Sequence, residues 1–308
     1  MGGAIVECVP NFSEGTDAGR VEAIVAAMQQ DGVHLLDWSM DADHNRSVVT
    51  IAGEPAAVVE AAVRGAGKAV DLIDLTRQQG VHPRIGAADV IPFVPVHGIK
   101  LEQCVLLARQ AGLEIWRRFG VPVYFYEAAA ARPDRVNLED VRRGQFEGLR
   151  DMVEREPSRR PDLGGPGLHP TGGACAVGAR KFLVAYNIYF DSPDVAMVRA
   201  IAKEIRAAGG GLMGVKAMGV LAHGRAQLSM NITDVEAMPI SQVYKRISAL
   251  AGRHKAAIAE GEVIGLIPEA ACERESEWMR QLVGFDEDTK VLERRLRRPL
   301  AWPGAFKS

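Results

Sequence analysis

No C-x-x-C pair occurs among the four cysteines, Cys8, Cys104, Cys175 and Cys272, which stand far apart in the 308 residues. That spacing supports neither a zinc knuckle nor a thioredoxin-type redox pair, and free thiols in a reducing, cytoplasmic setting are the expectation. Charge of one sign is not in excess: 37 basic against 39 acidic side chains leave a formal net charge of −2. A basic footprint for nucleic acid or an anionic membrane surface is therefore excluded. The few Trp and Tyr residues are scattered and form no stripe on which single-stranded nucleic acid would stack. No apolar run approaches the roughly 20 residues that cross a bilayer. The opening residues, Met1 to Cys8, lack the basic and long apolar regions of a secretory signal. None of the seven histidines falls in an H-x-x-x-H or H-E-x-x-H pattern, so no zincin-type metal site is expected. No G-x-S-x-G elbow occurs either. A G-x-G-x-x-G match at Gly209, Gly211 and Gly214 follows a helix pattern and precedes a strand pattern, the reverse of the dinucleotide-binding order. It reads as a helix C-cap and turn.

What is present is an ordinary globular composition, 47% hydrophobic and 25% charged, in a length that suggests about two domains. Ile5 to Phe12 reads as a strand, and Asp17 as the N-cap of a helix carrying Val21, Ile24, Val25 and Met28 on one face. Strands are expected over Val33 to Trp38 and Ser47 to Ala52. A helix follows from Pro55, then a strand over Val90 to Val96 whose two prolines favour an edge position. The order is β-α-β-β-α-β. It returns as a strand over Lys181 to Phe190, a helix after Ser192-Pro193, a hairpin turning at His223-Gly224, a helix from Pro239 to about Glu260, and a strand over Val263 to Ile267. Two such units predict an α+β fold of two ferredoxin-like sandwiches, divided as 1–178 and 179–308. The first half also carries a helix over Leu101 to Arg118, a strand over Val121 to Tyr126 and a polar stretch to Arg160. Helices on one face of each sheet leave the other face to be covered, by the facing half or by a second copy.

Chemistry-bearing residues gather in a few segments. Asp41-Ala42-Asp43-His44-Asn45-Arg46 lies between two strands and reads either as a polar hairpin loop or as the lip of a ligand cleft. In a cleft, Asn45 and Arg46 suit an amide or a carboxylate. In Gly80-Val81-His82-Pro83-Arg84-Ile85-Gly86-Ala87-Ala88-Asp89, Pro83 holds the backbone at His82 extended, and Gly86 permits close backbone approach. His82 with Arg84 and Asp89 makes a general base beside an anion clamp, or else a loop histidine. Asn11-Phe12-Ser13-Glu14-Gly15 ends the first strand, where polar groups either cap a turn or face a cleft. Arg180 and Lys181 open the second repeat, placed to receive carboxylates or merely to face water. The run Gly164-Gly165-Pro166-Gly167-Leu168-His169-Pro170-Thr171-Gly172-Gly173 is either a flexible linker or a loop whose exposed amides bind a flat heterocycle.

Taken together, Val6 to Gly15, Asn45-Arg46, His82 to Asp89, Pro92 to Val96, Val121 to Tyr124 and Gly178 to Leu183 give the chain a resemblance to glutamate formimidoyltransferase, the formiminotransferase part of formiminotransferase-cyclodeaminase. The resemblance runs through nearly the whole chain, and the His-Pro-Arg segment is its specific mark. With no counterpart of the helical cyclodeaminase part before Ser308, the chain is similar to the stand-alone transferase. The resemblance implies two ferredoxin-like subdomains with a folate tunnel between them and a homodimer, and it makes a separate cyclodeaminase a candidate partner. It implies transfer of a formimino group from N-formimino-L-glutamate to N5 of tetrahydrofolate in histidine degradation. Tetrahydrofolate is then a co-substrate, and no metal is involved. The catalytic histidine falls on His82 and the folate-contacting loop on residues 164–173. This sequence departs from the family in its acidic run at Asp41 and Asp43, and in a folate loop richer in glycine than that of the animal enzymes, with His169 added.

On that reading Asp41, Asp43 and Asp89 are the acidic candidates for holding the cationic amidine. Arg46 and Arg84 lead the candidates for substrate carboxylates, with Lys181 and Arg180 behind, and Asn11, Glu14 and Asn45 complete the substrate contacts. Two other readings compete. One keeps the folate site but processes 5-formyltetrahydrofolate or transfers a formyl group from N-formylglutamate. The other is a regulatory module that binds folate or an amino acid without turnover.

Overall fold

The structure, a computed structural model, describes residues 3–303. The chain forms two compact units. One comprises the chain up to Arg180 together with the segment from Pro299 on, and the other is Lys181–Arg298. The division thus falls two residues beyond the 178/179 boundary that the repeat suggests, and the tail from Pro299 joins the first unit. The Leu300 N–H donates to the Leu35 carbonyl at 2.7 Å, which ties this tail to an edge strand.

The first unit contains β1 (Ile5–Cys8), β2 (Asn11–Phe12), α1 (Ala18–Ala27), β3 (Val33–Asp41), β4 (Arg46–Gly53), α2 (Pro55–Leu72), β5 (Ala88–His97), α3 (Leu101–Phe119), β6 (Val123–Glu127), α4 (Leu138–Val141), α5 (Gln145–Arg155) and β7 (Cys175–Ala179). Its sheet has seven strands. β3 pairs β4, and β4 pairs both β1 and β2, the two halves of one strand interrupted at Val9-Pro10. β1 and β2 pair β5 antiparallel, and β7 and then β6 follow in parallel.

The two prolines of β5 suggest an edge, yet β5 lies inside the sheet. Pro92 sits opposite the break between β1 and β2, where Val9 N–H bonds its carbonyl at 3.3 Å. Pro95 lies beyond Phe93, the last residue of β5 paired with β7. Each missing N–H therefore falls where the ladder is already open.

Alternation along the strands assigns side chains to two cores. Ile91, Phe93, Val123, Phe125, Cys175 and Val177 join the stripes of α1, α2 and α3 in one. Val90, Tyr124, Tyr126, Ala174 and Ala176 face the opposite way, against Val141 of α4 and Leu149 and Val153 of α5. The polar stretch after β6 thus folds back as a cover for the second face of the sheet. It brings the end of α4 to the segment that precedes β5.

The second unit contains β8 (Val184–Phe190), α6 (Val195–Ile205), β9 (Val215–Ala222), β10 (Arg225–Ile232), α7 (Ile240–Arg253) and β11 (Ile258–Ile264). The strands are antiparallel in the order β11-β8-β10-β9. Val198, Ile201 and Ile205 of α6 and Val243, Ile247 and Leu250 of α7 pack on Tyr186, Ile188, Phe190, Leu228 and Met230. The fold is therefore α+β with two separate sheets. α7 stops at Arg253 rather than near Glu260, because the chain turns at His254-Lys255 and enters β11. No helix among the described residues is long and apolar enough to cross a membrane.

Candidate active site

His82 lies in the irregular segment between α2 and β5, half-buried beside the first residue of β4. Its ring Nδ1 is 2.8 Å from Arg46 Nη1 and 2.9 Å from the Pro83 carbonyl oxygen. One nitrogen cannot both accept from the guanidinium and donate to the carbonyl, so the two contacts belong to alternative tautomers. In both, Nδ1 is engaged within the protein. Burial, and then the charges of Arg46 and Arg142, hold the imidazole well below its ordinary pKa. At neutral pH the ring is uncharged and carries a lone pair.

Arg46 is fixed from three sides. Its Nε donates to Asn11 Oδ1 at 2.9 Å, its Nη2 donates to the same oxygen, and its Nη1 reaches Asp89 Oδ2 at 3.3 Å. Burial and the neighbouring Arg142 charge lower its guanidinium to about 9, opposed by Asp89, so it stays protonated at neutral pH. Asp89 is almost fully buried on β5. Its Oδ1 accepts the Ile85 N–H at 2.8 Å, and its Oδ2 accepts from both Arg46 and Arg142 Nη2. Two guanidinium groups therefore meet on one carboxylate oxygen next to a neutral imidazole. The cluster carries one net positive charge, away from bulk water, where an anion is attracted most strongly.

The strand hairpin and the His82 segment are stitched together by Asn45. Its Oδ1 accepts the Gly15 N–H at 2.9 Å, its Nδ2 donates to Gln79 O at 2.6 Å, and its carbonyl accepts Gln78 Nε2 at 2.9 Å. Gly80 and Gly15 are required by this closeness. A Cβ on Gly80 would lie 2.5 Å from His44 O, and one on Gly15 would lie 2.1 Å from Asp41 O. Asp41, at the end of β3, accepts the His44 N–H at 2.8 Å and pairs with His44 Nδ1 at 3.0 Å. The His44 ring stands 6.2 Å from that of His82. Asp43 is exposed at the hairpin tip, and its carbonyl accepts the Val81 N–H at 3.2 Å.

Other predicted residues have different surroundings. Arg84 is 7% exposed and spends its fork on the protein. Its two Nη groups meet the Glu147 carboxylate at 3.0 and 2.8 Å, its Nη2 also donates to Gln78 O at 2.8 Å, and its Nε donates to Gln78 Oε1 at 2.5 Å. Glu14 is buried in the turn before α1, whose N-cap is Asp17. Burial opposes its ionisation, but the N–H groups of Thr16 and Asp17, the Thr16 hydroxyl and Arg20 outweigh burial and leave its pKa below the ordinary value. Lys181 belongs to the second unit, where Nζ pairs with Asp234 at 2.7 Å on an exposed surface.

The glycine-rich run divides into two parts. Gly165, Pro166 and Gly167 are exposed, and a Cβ on Gly167 would meet nothing within 4 Å. From His169 on, the backbone is strapped down. His169 and Gly173 exchange hydrogen bonds at 2.9 and 3.0 Å, Gly172 O accepts the Ala87 N–H at 2.9 Å, and Thr171 O accepts the Leu75 N–H at 2.9 Å. His169 Nδ1 accepts the Gly172 N–H at 2.9 Å, and burial lowers the pKa of that ring. Gly86 and Gly173 lie so close that a Cβ on either would fall about 2 Å from a carbonyl oxygen of the other segment, at 2.0 Å and 2.1 Å. The loop thus runs directly beside the segment that carries His82 and Asp89.

The structure therefore brings together Asn11, Asn45, Arg46, His82 and Asp89, with Asp41 reaching the edge through His44. Arg142, at the C-terminal end of α4, is the member that sequence reasoning misses. Nothing in Val141-Arg142-Arg143 singles it out, since only the fold-back of α4 distinguishes the partly buried Arg142 from the exposed Arg143.

Comparison with known proteins matches residues 5–180 to the N-terminal subdomain of the formiminotransferase domain and residues 185–292 to the formiminotransferase domain. A protein of Streptococcus pyogenes serotype M1 called glutamate formimidoyltransferase is 42% identical over 295 residues, covering 95% of this chain and 98% of the relative. A Thermoplasma acidophilum protein of the same name is 41% identical over 300 residues, covering 96% and 98%. The formimidoyltransferase-cyclodeaminase of Gallus gallus is 40% identical over 276 residues, covering 87% of this chain but 51% of that longer protein. An imidazole in contact with Arg46, itself held by Asn11 and Asp89, on the first of two α+β units is thus found in a chain that belongs to the formiminotransferase family.

Proposed function

We infer that this chain is a glutamate formimidoyltransferase, an enzyme that moves the formimino group of N-formimino-L-glutamate to N5 of tetrahydrofolate and releases L-glutamate. The observation that carries this reading is the uncharged His82 imidazole beside a cluster of two arginines on one aspartate oxygen. A group-transfer base and a receptor for an amino-acid carboxylate are what the reaction needs in one place.

The N5 amine attacks the amidine carbon, and a C–N bond forms as the C=N bond opens. His82 Nε2 takes the proton that N5 sheds and gives it to the departing glutamate nitrogen, whose bond to carbon then breaks. One imidazole serves both transfers because it starts neutral and ends neutral. For Nε2 to accept, Nδ1 must carry hydrogen and donate to the Pro83 carbonyl, so Arg46 must withdraw its Nη1 hydrogen from the ring. A substrate carboxylate arriving at the cluster supplies that exchange.

Within the 164–173 loop, the exposed stretch 165–167 offers backbone amides to the pterin, while 169–173 anchor the loop beside the segment that carries His82. Asp41, whose carboxylate pairs with His44 beside the His82 ring, and Asp43 are read as the carboxylates for the cationic amidine, while Asp89 holds two arginines. Arg84 and Glu14 shape the site rather than bind, because their polar atoms are spent within the protein. Each unit's β-α-β-β-α-β set, with its first strand between the fourth and the third, is read as ferredoxin-like. The reading also includes a homodimer, a cytoplasmic place in histidine degradation and a separate cyclodeaminase for the product.

Purified protein given tetrahydrofolate and N-formimino-L-glutamate should form 5-formimino-tetrahydrofolate, followed by mass spectrometry. Parallel tubes with 5-formyltetrahydrofolate or N-formylglutamate test the formyl chemistries. Turnover only in those tubes, or binding without turnover in any, removes the assignment.

A further inference from the structure

Arg142 is buried to 10% exposure, yet among the described residues its Nε has no hydrogen-bond partner. Its guanidinium donates from Nη2 to Asp89. The other cations nearby differ. Arg84 is saturated by Glu147 and Gln78, and Arg46 by Asn11, His82 and Asp89. A buried, unpaired N–H is costly to a fold, and that of Arg142 stands beside the carboxylate and imidazole of the site, where an incoming anion would satisfy it. Arg142 Nη2 carries a second hydrogen besides the one given to Asp89, and with the adjacent Nε–H it makes the parallel pair of donors that a carboxylate accepts bidentately.

We propose that Arg142 is the specificity-determining anchor for the α-carboxylate of the donor, a contact that no relative's name assigns and that rests on the transferase reading above. The choice of carboxylate follows from connectivity. In N-formimino-L-glutamate the reacting nitrogen is bonded to Cα, which also carries the α-carboxylate. That carboxylate is therefore the anion nearest the atoms His82 serves. The glutamate tail of the folate is separated from N5 by an aminobenzoyl ring, too far for a group that shares Asp89 with Arg46. The bound carboxylate also cancels the extra positive charge of the cluster. Arg142 thereby becomes the means by which an amino-acid donor, rather than a simple amidine, completes the site.

The test uses the full chain, two donors and two variants. The donors are N-formimino-L-glutamate and the N-formimino derivative of 4-aminobutyrate, which lacks the α-carboxylate. Wild type should prefer the first by about 10- to 100-fold in kcat/KM, the range for a charge-assisted hydrogen-bond pair. Arg142→Gln should raise KM for N-formimino-L-glutamate by a similar factor, leave KM for tetrahydrofolate unchanged and abolish the preference. Arg142→Lys, which keeps the charge without the fork, should recover part of it. A wild type that uses both donors equally overturns the proposal without any variant, and so does an Arg142→Gln enzyme that keeps the preference. Calorimetric titration with L-glutamate separates this proposal from the assigned reaction. Loss of glutamate binding in Arg142→Gln supports the anchor even if wild type transfers no formimino group. Equal binding by wild type and variant overturns the anchor whatever the turnover.

Discussion

At the scale of single residues, the environment of His82 decides what the site does. An imidazole whose pKa is held below its ordinary value gains no proton until the solution is well below pH 6.5. The acid limb of a kcat/KM profile is therefore expected below that value, with activity constant above it until another group titrates. A limb centred at 7 or above contradicts the assignment. The same shift has a thermodynamic sign. Because the unfolded chain binds the His82 proton more readily than the folded one, folding stability falls as pH drops through 6.5 and below. His82→Gln should flatten that part of the stability curve, measured by denaturant melts at pH 5 and 7.

Arg84 leads to a different prediction from the one its sequence position invites. Beside His82 it suggests a substrate clamp. In the structure its fork is filled by Glu147 and Gln78. Arg84→Ala should lower stability by about 1–3 kcal/mol through lost charge-assisted hydrogen bonds while leaving the donor KM unchanged. A normal melting curve with a raised KM would return Arg84 to the substrate. The difference between the two arginines was not legible in the sequence. Their partners, Glu147 and Asp89, lie 63 and 43 positions away and become neighbours only through the fold.

At the scale of elements, the site is two strapped segments. The His82–Asp89 segment and the 169–174 segment touch through Gly86 and Gly173 without space for a Cβ. Gly86→Ala should cost about 1–3 kcal/mol in stability, by forcing the backbones apart, and should lower activity along with it. Gly167→Ala, in the exposed part of the loop, should leave stability unchanged and report only on tetrahydrofolate KM. Equal stability losses in both would show that the loop is strapped along its whole length. The Gly-Pro density of 164–173 marked a special segment. Its division into a free part and a fixed part was hidden, because the fixing bonds run from Ala87 and Leu75. Strand β7 escaped sequence reading as well. It is five residues of small side chains, and its place between β5 and β6 comes from parallel pairing across long separations. The amphipathic stripes of α2 and α3 and the alternation of β8 and β10 were plain, since each depends only on local period.

At the scale of the whole molecule, the repeat explains what the sequence can and cannot tell. Two β-α-β-β-α-β orders are visible as patterns, and both appear as sheets. The return of the tail to the first unit was not visible, because Leu300 and Trp302 form no period. They pack against the first unit's core, and Leu300 bonds Leu35. Truncation after Arg298 should therefore destabilise the first unit by about 2–3 kcal/mol, the value of two partly buried large side chains. Hydrogen exchange should show the loss at β3 and not in β8 or β10. The catalytic account places both proton transfers on the one imidazole of this first unit. The most direct test is the rate of 5-formimino-tetrahydrofolate formation by His82→Ala, measured with both substrates saturating and tetrahydrofolate binding checked separately. The account predicts a fall of about 10²- to 10⁴-fold with folate affinity retained, and a rate near that of the unaltered enzyme would contradict it.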